Sequence, residues 1–373
     1  MGIVHYTLSQ ARRILKSASL PAAHLMTAGW APYSRLILIR DQAGWVIDEE
    51  MRELEGITTR LGIRQADSRW LSASRQQAVF YGTQFFLLAD EWINSTHHIG
   101  MAYFHGKPGT GFREFDELYQ RLVHYHEKIT RIQASHSEMR DCLMATGIAP
   151  EKVHLIPIGI NLSCFSVQTP ESKSHARDHY GIPQTAVVVG SFQKDGVGWG
   201  EGREPKLIKG PDIFIQSVER LKHRIPELFV VLSGPSRGYV KEGLEKLGIP
   251  YRHFLLDRYP EVGQLFQTLD LYMVTSRQEG GPKAVLESMA SGVPIVTTRV
   301  GQAMDIVQHG KNGFMAKIED IEELVHWSKW VLDHPSDMKS VLEQGRQTAE
   351  QNTYEKQLPL WREFMKGFVS VRS

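Results

Sequence analysis

Two carboxylates eight positions apart, Glu279 and Glu287, flank Gly280, Gly281 and Pro282. This combination suits recognition of a phosphorylated sugar. Proline fits the first turn of a helix, where its missing N–H would have had no partner. A helix is therefore expected to open at about Pro282. The amides of Lys283 and Ala284 then stand at the positive end of the helix dipole, a place for an anion such as a diphosphate. Gly280 and Gly281 let the backbone come close to a ligand. Glu279, in the loop, is placed for sugar hydroxyls; Glu287, about one and a half turns into the helix, reaches further along the same molecule. The spacing also has a plainer reading, in which Glu279 caps the helix and Glu287 pairs with a surface lysine.

Short apolar runs alternate with helical patterns along the whole chain, the mark of parallel strands layered with helices. In the first half the runs are Arg35–Ile39, Ala78–Tyr81, Ile99–Phe104, Ile129–Ser135 and Val153–Ile158. In the second half they are Ala186–Val189, Phe229–Leu232, Arg252–Leu256, Leu271–Thr275 and Pro294–Thr298. Residues 166–178 are polar, lack apolar periodicity and read as a linker. The expected architecture is α/β: two doubly wound, Rossmann-like domains facing each other across a cleft, with ligand outside the carboxyl ends of strands.

Length and composition agree. At 373 residues the chain exceeds one ordinary core, so two domains are expected. An apolar fraction of 42% with 23% charged residues excludes a disordered or collagen-like protein. A net charge of +1 gives no field for nucleic acid, and no nucleic-acid partner is expected. Two cysteines, Cys142 and Cys164, make neither a disulfide framework nor a Cys-rich zinc site, and the histidines lack a third ligand at sensible spacing. No run approaches eighteen uninterrupted apolar residues, and the first residues do not read as a secretory leader. A cytoplasmic protein is expected. Residues 9–26 form either a basic amphipathic helix touching the inner face of the membrane or a helix packed on the first domain.

The stretch 271–298 resembles the signature of the family 4 retaining glycosyltransferases, of GT-B fold, in which E-G-x-P/G-x-x-x-x-E precedes A-x-G-x-P-V/I-V. The run from Arg299 to Phe314 resembles the same family's V-G-G-x-x-E-I-V-x-x-G-x-N-G-F/L, with Gln302 for the second glycine and Asp305 for the glutamate. Residues 134–161 with Phe165 look like the stretch that closes the family's first domain. The likeness covers residues 99–330 and is thin over 1–90.

That resemblance implies residue roles. Glu279 would contact hydroxyls of the donor sugar and Glu287 the ribose hydroxyls of its nucleotide. Lys209 matches the lysine of the family's basic pair on the donor diphosphate. Ser191 stands at the arginine position, and the insertion Asp195–Ile208 separates the two. Lys194, Arg203 and Lys206 are the alternatives for the second cation. His105, before Gly106, matches the histidine near the reacting sugar. Gly44 sits at the first strand-to-helix turn, and Arg258 with Tyr259 lies where the base should rest. No Asp-x-Asp occurs, so metal-independent chemistry is implied, with no cofactor beyond the nucleotide diphosphate-sugar. The domains implied are 1–168 on the acceptor side, 169–352 for the nucleotide-sugar, and an aromatic-rich helix at 353–373 crossing back to the N-terminal domain.

The implied activity is retaining, hexosyltransferase-type transfer of a sugar to a hydroxyl of a sugar or lipid-linked glycan acceptor, in bacterial surface-glycan or glycoconjugate synthesis. An NAD-dependent oxidoreductase would need Gly-x-Gly-x-x-Gly directly after a strand, which neither Asp41–Trp45 nor Gly190–Lys194 offers. A non-catalytic nucleotide- or sugar-binding protein of the same fold is the remaining alternative, with Ser191 as its support.

Overall fold

The computed structural model describes residues 27–40 and 46–370. Gly44 and the basic segment 9–26 lie outside the described residues. The chain divides into two compact units: residues up to Ile158 together with those from Tyr354 onward, and Gly159–Thr353.

In the first unit six strands lie in the order β2-β1-β3-β4-β5-β6. They are β1 (Leu36–Ile39), β2 (Gln65–Ala66), β3 (Ala78–Tyr81), β4 (His98–Tyr103), β5 (Arg131–Ala134) and β6 (Val153–Leu155), all parallel. Tail residues complete this core: Trp361, Phe364 and Phe368 pack with Leu36, Phe80 and Ala102. Tyr354 donates its hydroxyl to Glu50, and Gln357 donates to the Pro157 carbonyl at 2.9 Å.

The second unit repeats the plan. Its strands are β7 (Val187–Phe192), β8 (Leu228–Ser233), β9 (Tyr251–Phe254), β10 (Leu271–Val274), β11 (Ile295–Thr298) and β12 (Phe314–Ala316), in the order β12-β11-β10-β7-β8-β9. Helices cover both faces, so β8 and β10 are buried at every residue and read as unbroken apolar runs. The chain winds outward from β7 through β8 to β9, then returns and winds the other way from β10. The loops after β7 and β10 therefore diverge at a topological switch point, where this class of sheet offers a crevice.

Residues 166–178 are not a linker, because most of them belong to the helix Pro170–Tyr180. Thr169 accepts from the Ser172 amide at 3.1 Å while the Ser172 hydroxyl accepts from the Thr169 amide at 2.9 Å, a closed capping box. Pro170 opens the helix and Gly181, at φ +63°, ends it. It docks by charge: Arg177 reaches Asp270 at 2.7 Å and the Thr268 carbonyl at 3.0 Å. A helix anchored this way carries little apolar stripe, which is why periodicity missed it. β2 and β12 are too short for periodicity to reveal, and Gln84–Leu88 is a 3-10 turn.

Candidate active site

The loop after β7 supplies cations. Lys194, Lys206 and Lys209 lie close enough to repel one another electrostatically. Burial first, and then the neighbouring ammoniums of Lys209 and Lys194, press Lys206 down to about 8. Burial also lowers Lys194, whose Nζ donates to the Gly196 carbonyl at 3.2 Å and lies 4.8 Å from the centre of the Trp199 ring.

Beneath these lysines is a buried charge pair. Arg237 Nε stands 2.9 Å from Asp195 Oδ1, with both side chains fully buried. Arg237 also donates to the carbonyls of Ser191 (2.6 Å) and Ser233 (2.8 Å), and to Ser191 Oγ (3.1 Å). One guanidinium thus ties the ends of β7 and β8 to the loop carrying Lys194. The insertion folds back as a hairpin, and its Gly198 and Gly200 carbonyls accept from Ser236 Oγ at 3.1 and 3.0 Å.

The loop after β10 supplies Glu279. Its carboxylate accepts from Lys209 Nζ at 2.7 Å through Oε2 and from Ser276 Oγ at 2.8 Å through Oε1. The two loops are stapled together. Arg277 N and Gln278 N donate to the Ile208 carbonyl at 2.8 and 3.1 Å, and Thr275 Oγ1 donates to the Gly210 carbonyl at 2.9 Å. Gly210 is at φ +61°, and a Cβ there would fall 2.0 Å from the Thr275 oxygen. Gly301, at φ +50°, packs directly on the same loop: a Cβ there would fall 2.5 Å from the Glu279 carbonyl oxygen.

Pro282 is the N-cap of the helix Lys283–Ala290, and no side chain caps that end. This is the positive end of the helix dipole, the kind of end that anion sites use. Glu287 is 5% exposed and accepts from the Tyr259 hydroxyl through Oε1. Lys283, 6% exposed, holds its Nζ 4.5 Å from the centre of the Tyr259 ring. The plainer reading, with Glu279 as a cap and Glu287 on a surface lysine, does not describe either side chain.

Other expected residues are placed differently. Ser191 is 1% exposed, and its Oγ accepts from Arg237. Arg258 is exposed and pairs with Glu261 at 2.9 Å, while its neighbour Tyr259 turns inward to Glu287. Arg203 joins Glu201 and Glu242 on the outside of the hairpin. His105 belongs to the first unit, where Gln84 Nε2 lies 3.3 Å from its Nδ1 and donates to its carbonyl at 2.8 Å. The sequence reading missed Ser276, Arg237 and Asp195; of these only Ser276, three residues before Glu279, left a local signal. Among the described residues no cluster of histidine, cysteine and carboxylate side chains could hold a metal, and no helix is long and apolar enough to cross a membrane.

Residues 204–348 match the family described as Glycosyl transferases group 1. The chain is 29% identical over 180 residues to a D-inositol 3-phosphate glycosyltransferase of Corynebacterium urealyticum, covering 45% of this chain and 40% of that protein. It is 28% identical over 176 residues to the lipopolysaccharide core biosynthesis mannosyltransferase LpsB of Rhizobium meliloti, covering 45% and 47%. These alignments span less than half the length of either relative. In fold, the chain resembles Alr3699/HepE of Anabaena, solved with UDP and glucose, at a TM-score of 0.70 and 17% identity, over 90% of this chain and 99% of that one.

Proposed function

We propose that this chain, whose residues 204–348 match the glycosyl transferases group 1 and whose fold is of GT-B type, transfers a sugar from a nucleotide diphosphate-sugar to an acceptor hydroxyl. The observation that carries the reading is the Glu279 carboxylate, fixed between Lys209 and Ser276, with Lys206 near it and a helix end without a side-chain cap three residues on. Lys209 and Glu279 hold each other in place until the donor arrives. The diphosphate then takes Lys209, Lys206, Lys194 and the amides of Lys283 and Ala284, and Glu279 turns its acceptor capacity to sugar hydroxyls.

As the bond to the sugar breaks, charge grows on the departing phosphate, and the ammonium groups and helix end stabilise it without a metal. Transfer is retaining in this reading. The acceptor hydroxyl attacks on the face that the phosphate leaves, and that phosphate takes its proton. The Anabaena neighbour's UDP makes a uridine donor the first candidate, and the acceptor proposed is a sugar or lipid-linked glycan of a bacterial surface polymer.

The test is a melting-temperature screen of UDP, GDP and ADP with their hexose conjugates. A ligand at a hundred times its Kd should add about 2.7 kcal/mol of stability. Transfer assayed with the best donor should survive EDTA. No stabilisation by any nucleotide, or activity abolished by the chelator, would refute the proposal.

A further inference from the structure

We infer that Tyr259 and Lys283 are positioning residues that hold the Glu287 carboxylate for the ribose, an assignment that rests on the reading of Glu287 as the ribose ligand. Glu287 is almost fully buried, and a buried carboxylate stays charged only if donors surround it. The Tyr259 hydroxyl is such a donor. It arrives from the turn after β9, while the Glu287 helix follows β10 on the other side of the switch point. The bond therefore spans the place where a nucleotide would lie.

Lys283 stands one helical turn before Glu287, on the same face. Its ammonium lies over the Tyr259 ring, 4.5 Å from the centre, and Phe165 meets that ring edge-on at 6.3 Å. The ring is thus fixed by contacts separate from the hydroxyl, which aims at Oε1. A carboxylate oxygen accepts more than one hydrogen bond, so the phenol orients Glu287 without filling it.

The experiment is calorimetric titration of the full chain and its Tyr259→Phe variant with UDP, 2′-deoxy-UDP and pyrophosphate, using the GDP pair if GDP proves the tighter ligand. Loss of a hydrogen bond to a charged group predicts about tenfold weaker UDP binding in the variant. The deoxy penalty, about tenfold or more in the parent, should shrink to below roughly threefold, with pyrophosphate affinity unchanged. Lys283→Met should give a smaller loss in the same direction. Unchanged UDP affinity with an intact deoxy penalty in Tyr259→Phe overturns the inference. So does a parallel loss of pyrophosphate binding, which would reveal a general disturbance of the fold. A parent that binds neither UDP nor GDP overturns the functional reading, and this inference with it.

Discussion

The two ends of the candidate site are built by opposite means. At the β7 end, three lysines crowd one another and one of them holds Glu279, and the backbone there is clamped by the buried Arg237–Asp195 pair and by glycines that leave no room for a Cβ. At the helix end, a carboxylate leans on a neutral phenol and a single lysine caps the ring. One end stores repulsion between like charges, which a diphosphate would relieve. The other stores none. The contrast implies that the first end should respond to pH and salt, and the second to the loss of single hydroxyl groups.

The largest effect should come from the clamp. Asp195→Ala leaves the Arg237 guanidinium buried without its countercharge, and breaking a buried pair costs about 3–5 kcal/mol. Chemical denaturation would register this as a lowered midpoint at constant slope. A loss under about 1 kcal/mol would mean the carbonyls on Arg237 suffice alone, and the contrast in rigidity would fail. Next in size is Lys209→Ala, which removes a diphosphate cation and the Glu279 partner together. Turnover should fall at least about tenfold, roughly 1.4 kcal/mol of barrier. Unchanged kcat would move the reacting phosphate elsewhere.

The pH dependence sharpens the comparison because two signs oppose each other. Lys206 is held near 8 in the folded chain against an ordinary 10.5, so between these values the unfolded state binds more protons and folding stability rises with pH. A bound diphosphate favours the charged lysine, so nucleotide affinity should fall above about pH 8, by up to roughly a factor of ten per unit. Titrations of UDP from pH 7 to 9.5 would check this, and Lys206→Met should flatten the limb. Affinity independent of pH would show that Lys206 is no part of the anion site.

What could be read in advance follows the range of the interactions. Glu279, Pro282 and Glu287 sit on one turn and one helix, so spacing placed them together, and the family resemblance supplied their roles. The Ser191 position looked like a missing charge because the arginine beneath it comes from another strand's loop, at position 237. Tyr259 was legible as a neighbour of the base and illegible as a partner of Glu287, since the bond joins loops that meet only in the folded sheet. The helix Pro170–Tyr180 was hidden for the converse reason: its caps were local, but its anchor is Asp270. In the first unit the apolar runs marked β1, β3, β4, β5 and β6, and only the two-residue β2 left too little for periodicity to grip.

Arg258 offers the smallest and most discriminating effect. Sequence position alone puts its guanidinium beside the base; the fold turns it outward onto Glu261, with 78% of the side chain exposed, and turns Tyr259 inward. A solvent-exposed pair at this spacing contributes little, so Arg258→Ala should leave the melting temperature almost unmoved. Nucleotide affinity should change by less than about twofold, because the residue that meets Glu287 is its neighbour. Measured beside Tyr259→Phe, the two variants test adjacent positions in one turn. A large loss at 258 with none at 259 would invert the assignment.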